Sequence, residues 1–161
     1  MATITRKGLK QEAPFGTAPY GNATALEFPL VTNSSGAAVN ADSTSAIASG
    51  DVVRIGIIPA GFRLQDSLAI VSTAFTASVV GTFGFAYVDG VDSTAVPQDA
   101  DYFGASVAIN TAGRYAASNT AVKPVTLPKE AYLTLTTGGA NNAKAADLVF
   151  ILRGELVGVT G

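Results

Sequence analysis

Apolar and polar residues alternate with a period of two along most of this chain, and no stretch sustains the 3.6-residue period of a helix. Leu26, Phe28 and Leu30 share one face of a segment running from Thr24 to Thr32. Val53, Ile55 and Ile57 do so between Val52 and Ile58. Phe62, Leu64, Leu68 and Ile70 follow, then Phe83, Phe85 and Tyr87. Further on, Val107 and Ile109 mark a strand over 105–110, Val122 to Leu127 another, and Leu133 and Leu135 a third over 131–137. The last segment, Asp147 to Val157, contains the unbroken apolar run Leu148 to Leu152, the pattern of a strand covered on both faces. The pattern predicts about eight strands separated by turn residues, the spacing of a sandwich or barrel.

The punctuation refines this. Ile58-Pro59-Ala60-Gly61 fits a type I turn, with Pro second and Gly fourth. The three strands of 51–89 are therefore expected to open one antiparallel sheet. Pro29 cannot donate to a ladder, which places its strand at an edge. Asp99 to Phe103 has the form of a single Asp-capped helical turn. Residues 33–50, rich in Ser, Ala, Asn and Gly, form a loop long enough to carry a surface role or an extra hairpin. The fold class expected is all-β: an antiparallel two-sheet sandwich, with a jelly roll preferred, over residues 23–161. Residues 1–22 are expected as an extended N-terminal arm, in which Ala2 to Arg6 can pair as a short strand. Pro14, Gly16, Pro19 and Gly21 bar regular structure from the rest of the arm.

Composition narrows the function. The 161-residue chain has no Cys, His or Trp. It therefore has no disulfide framework, no imidazole or thiolate ligand, and none of the Ser-His or Cys-His pairs of common hydrolases. No enzyme activity and no cofactor are expected. Charged residues make up 14% of the chain, against about a quarter in ordinary soluble domains, which favours a protein that hides surface in an assembly. No apolar stretch reaches the roughly 20 residues of a spanning helix, and the basic N-terminus lacks the apolar segment of a signal peptide. Neither a membrane nor a nucleic-acid partner is expected, the latter because the net charge is −2.

Candidate motifs mostly have plain readings. Asp89, Asp92, Asp99 and Asp101 supply oxygen atoms, but their spacing is not that of a calcium loop, and Asp beside Gly builds turns. No carboxylate pair is singled out for glycosidase chemistry. Gly138-Gly139-Ala140-Asn141 is followed by no Gly-Lys-Ser/Thr and is not a phosphate loop. The basic residues Arg6, Lys7 and Lys10, followed by Phe15 and Tyr20, form a candidate docking arm for an acidic partner surface, ahead of a body with no Lys or Arg from Leu64 to Gly113.

Residues 50–157 resemble the head decoration, or capsid cement, proteins of tailed bacteriophages. The likeness lies in the strand Val52 to Ile58, the turn Pro59-Ala60-Gly61-Phe62, the strand Leu64 to Val71 and the Ser72-Thr73-Ala74-Phe75 that follows. It continues through Gly84-Phe85-Ala86-Tyr87-Val88-Asp89-Gly90, Asp101-Tyr102-Phe103, Thr111-Ala112-Gly113, Leu133 to Thr136 and the final Leu148 to Leu152 strand. It implies a jelly roll or related sandwich, made in the host cytoplasm, that binds the outer capsid surface as a homodimer or homotrimer. There it would bridge subunits of the major capsid protein. The family has no catalytic residues to carry over. The competing expectation is a carbohydrate- or receptor-binding β-sandwich of a head fibre or tail, which exposed Tyr or Phe around a concave site would favour.

Overall fold

The computed structural model describes residues 1–8 and 23–158, and the regular structure among them is all strand. In chain order the strands are β1 (Thr3–Thr5), β2 (Ala23–Thr32), β3 (Val52–Ile58), β4 (Phe62–Thr73), β5 (Val80–Tyr87), β6 (Asp99–Val107), β7 (Gly113–Ala116), β8 (Val125–Thr126), β9 (Ala131–Gly138) and β10 (Ala146–Leu156). They form two sheets, ordered β1-β3-β9-β5-β6 and β2-β10-β4-β7, with β8 also paired to β4. Only β1 with β3 is parallel among these pairings. The two sheets enclose one apolar core built on Phe28, Phe62, Phe75, Phe83, Phe85 and Phe150. The all-β sandwich expected from the alternation is the fold observed.

The arrangement of 51–89 differs from expectation. β3 and β5 lie in one sheet with β9 between them, while β4 lies in the other. The turn explains the crossing. Phe62 N–H donates to the Pro59 carbonyl, and Gly61 takes φ +76°, so the tight turn is Pro59 to Phe62, one residue later than the sequence pattern predicts. Glycine at the third position with positive φ is the type II arrangement, which other residues resist. Ile58 and Phe62, at the two ends of the link, are both fully buried, so the chain passes over the edge of the core and does not fold back in plane. Each sheet thereby covers the apolar face of the other.

Two bulges reset the faces. In β3 the register with β9 shifts between Arg54 and Gly56, so Ile58, and not Ile57, follows Val53 and Ile55 into the core. Gly56 is required there, because a Cβ would stand 2.2 Å from the Phe28 ring. In β4 the register with β10 passes from Leu64 to Asp66 and skips Gln65. Before the skip Phe62 and Leu64 point inward; after it Ser67, Ala69 and Val71 do, and Leu68 and Ile70 point out. A single extra residue reverses every side chain beyond it.

Smaller corrections have local causes. Asp99 to Phe103 is strand, not a helical turn: the Asp99 carboxylate accepts the Asp101 N–H at 3.0 Å, an Asx turn inside a kinked stretch of β6. The segment expected over 122–127 pairs only at Val125–Thr126, and the one expected over 105–110 runs from Asp99 to Val107. Among the described strands β2 pairs only with β10, and only its end bridges the following loop at Thr32 and Ala38, so Pro29 does lie at an edge. Residues 33–50 close one end of the sandwich, with Ala37, Ala38 and Ile47 buried.

Candidate interaction surfaces

The N-terminal segment joins the edge of one sheet. Ile4 is 2% exposed, and Thr3–Thr5 pairs with Val52 to Arg54. Ala2 N–H donates to Asp51 Oδ1 at 2.9 Å and Thr5 N–H to Asp42 Oδ1 at 2.8 Å. Asp51 is itself buried, its second oxygen accepting the Ala48 N–H. Of the candidate docking residues, Arg6 is half-buried, and its guanidinium donates to the Pro29 and Ile55 carbonyls, tying the edge of one sheet to the other. Lys7 is exposed beside it, its backbone N–H bonded to Asn40 O. Lys10, Phe15 and Tyr20 lie outside the described residues.

The acidic loops beyond β5 use their carboxylates to build turns. Asp89 accepts the Val91 N–H and the Lys129 ammonium; Asp92 accepts from Ser93 and Gln98. The Lys129 hydrogen bond, with the Val91 amide, lowers the pKa of Asp89. Asp99 is shifted the other way, first by desolvation and then by a hydrogen bond with the Asp101 side chain. It therefore holds a proton more readily in the folded than in the unfolded chain. That contribution to stability is present at acid pH and is lost as pH rises through the folded pKa. Asp99→Asn is expected to flatten this part of the pH dependence and to raise the thermal midpoint more at pH 7 than at pH 4. An unchanged melting profile across that range in the variant would refute the assignment.

A cleft of about 320 Å³ opens beside this loop, floored by Phe85 and Tyr102 and walled by Val96, Pro97, Val122 and Val125. Its aromatic rings face inward. Phe85 and Tyr102 meet edge to face at 5.4 Å, and Tyr102 OH donates to the Lys123 carbonyl. Every Phe among the described residues is buried, and the Tyr132 ring is capped by Arg54 at 4.5 Å. Among the described residues, no aromatic platform suited to stacking a sugar lines the cleft.

The two outer sheet faces differ in character. Arg54, Thr82, Tyr132 and Thr136 dominate one, and Leu68, Ile70, Val149 and Ile151 form the centre of the other. The sequence hides this second patch, because Leu68 and Ile70 read as core until the bulge at Gln65 is known. The run Leu148 to Leu152 is its visible trace: Leu148, Phe150 and Leu152 enter the core, while Val149 and Ile151 face out and no described strand covers them.

No family model and no curated protein matches this sequence. Among solved structures, the chain is similar in fold to a chain of "Capsid of Ralstonia phage GP4", with a TM-score of 0.65 at 13% identity, over 98% of this chain and 99% of that one. It is also similar to a chain of "Cyanophage Pam1 capsid asymmetric unit", with a TM-score of 0.57 at 11% identity, over 91% of this chain and 93% of that one. At these identities the likeness is one of fold.

Proposed function

We propose that this chain is a structural virion protein of a tailed bacteriophage, a capsid cement or decoration protein that binds the outside of the shell and bridges major capsid protein subunits. The observation that carries the reading is the whole-length match to the Ralstonia phage GP4 capsid chain, which covers nearly all of both molecules. Support also comes from the sequence resemblance over 50–157 and from the low charge content of the chain.

The strand pairing supports a jelly-roll reading. β2 pairs with β10, β3 with β9, β4 with β7 and β5 with β6, so the chain nests as a folded double ribbon wrapped into two sheets. In this reading the body acts as a rigid plug, and a homodimer or homotrimer converts several weak footprints into firm attachment through effective concentration. Lys7, Lys10, Phe15 and Tyr20 form the reaching arm, while Arg6 holds its root to the sandwich.

The test is to mix the purified protein with expanded heads that lack it and to quantify bound copies by cryo-electron microscopy. Saturable, symmetric occupancy of the outer surface is expected, and protein that leaves the heads bare refutes the cement reading. Because Ile4 is buried, the arm is tested by substitution and not by truncation. Lys10→Ser, Phe15→Ser and Tyr20→Ser together are expected to weaken head binding at least tenfold, about 1.4 kcal/mol, with an unchanged melting temperature. Full occupancy by that variant would remove the arm from the mechanism.

A further inference from the structure

We propose that the outer face of the β2-β10-β4-β7 sheet is a self-association surface, occupied by the same face of a second copy of this chain. Two complete rows cross the sheet. Glu27, Ile151, Leu68 and Ala116 align in one, and Pro29, Val149, Ile70 and Arg114 in the next. The four central side chains are apolar, only half-buried, and not among those packed against the core. Val31, 42% exposed, extends the patch along the β2 edge, and the Arg153–Asp66 ion pair at 3.9 Å bounds one end. An apolar sheet face of this kind is normally covered.

The charges at its flanks select the partner and its orientation. Glu27 stands on β2 at one side of the patch and Arg114 on β7 at the other, one row apart. A two-fold axis lying in the interface and parallel to the strands lays β2 of one copy over β7 of its partner. Each Glu27 then lies across the roughly 10 Å between stacked sheets from the opposing β7, offset by one row, about 6.7 Å, from Arg114, within reach of two long side chains, twice per dimer. A two-fold perpendicular to the strands would place β2 on β2 and leave both charges without opposite partners. The axis parallel to the strands thus makes the face complementary to itself, as an isologous interface requires. Face-to-face sheets with strands nearly aligned are also the common packing of sandwich layers.

The area sets the strength. Two rows of four strands and two of three, with strands about 4.8 Å and rows about 6.7 Å apart, give about 450 Å² per copy and about 900 Å² in total, just under the usual size of a stable interface and in the range of a weak, reversible one. Reversible association with a dissociation constant on the order of 10 μM is expected. This surface deepens the oligomer in the proposed function and rests on it. It is measured in free protein, whereas cement activity is measured on heads, so the two fail separately.

Sedimentation equilibrium of the purified chain through the micromolar range tests it. A reversible dimer is expected, and Ile151→Lys should weaken it at least a hundredfold while leaving the melting temperature and near-ultraviolet circular dichroism intact. Glu27→Arg or Arg114→Glu alone should weaken it about tenfold, and the double reversal should restore it. A protein monomeric throughout, a dimer or trimer indifferent to Ile151→Lys, or a double reversal no better than the singles would overturn the proposal. So would a monomer that associates only once residues 9–22 are deleted, since the chain's own segment would then be the occupant.

Discussion

Replacing Phe150 by Ala is expected to lower the unfolding free energy by about 4 kcal/mol, the middle of the range for buried aromatic truncation. Phe150 sits on β10, the strand that pairs on both sides, with β2 and with β4. Its ring, 1% exposed, stacks on Phe83 of the opposite sheet with centroids 5.0 Å apart and meets Phe103 at 5.3 Å. The cost has two sources: lost burial with a cavity lined by rings that cannot collapse far, and two aromatic contacts worth about 0.5–1.5 kcal/mol each beyond their area. A domain of this size has about 5–15 kcal/mol in all, so the variant should fold at low temperature but unfold at a much lower urea midpoint. The slope of the unfolding curve should stay constant, since the exposed surface hardly changes. Leu156→Ala, on the same strand but only partly buried, provides the comparison and is expected to cost about 1 kcal/mol. Equal losses in the two variants would mean that the aromatic stack is not what joins the sheets.

The sequence shows this core unevenly, for definable reasons. Phe28, Phe83, Leu133 and Leu135 lie in strands whose alternation is unbroken, and each points where its phase says it should, whereas the continuous apolar run around Phe150 shows no phase. Leu68 and Ile70 do not, because the extra residue at Gln65 is recorded only in the pairing with β10, far away in sequence. The separation of β3, β4 and β5 is likewise a matter of pairing: local pattern identifies a strand but not its neighbour. The type II turn is within reach of local pattern, since Gly61 followed by an apolar residue fits a turn beginning at Pro59 as well as one beginning at Ile58.

The candidate surfaces follow the same division. Arg6 reads as a free cation in an arm, yet its guanidinium is spent on two backbone carbonyls, because β1 enters the sheet and brings the residue against the β2 edge. The outer apolar face cannot be read from β4 alone. It needs the register of four strands, contributed by segments from Ala23 to Leu156.

Asn142→Ala is the second large effect expected, a loss of about 3 kcal/mol from a polar side chain in a loop. Asn142 is 1% exposed and holds the end of the sandwich together. Its Oδ1 accepts the Thr76 N–H and Thr76 hydroxyl, both at 3.1 Å. Its Nδ2 donates to Thr32 Oγ1, Gly36 O and Lys144 O. One amide thus joins the end of β2, the 33–50 loop, the link from β4 to β5 and the link from β9 to β10. The partners do not suffer equally in the variant. Gly36 O still accepts from Ile47, Lys144 O from Thr32, and the Thr76 hydroxyl from Ala143. Among the described residues the part-buried Thr76 N–H keeps no such substitute, and a donor left unpaired there, together with the five bonds lost from a buried amide, is the costly outcome of the change. Asn142→Asp separates the two halves of the amide. Its carboxylate keeps the acceptor for Thr76 but turns an oxygen toward Gly36 O and Lys144 O. The Asn142→Asp variant should therefore be at least as unstable as Asn142→Ala at pH 7 and should recover as pH falls and the carboxyl gains a proton to donate. Urea midpoints at neutral and acid pH measure both effects. A loss below about 1 kcal/mol for Asn142→Ala, or a pH-independent Asn142→Asp, would show that the loop end is held by packing of Ile47 and Ala37 and not by this amide.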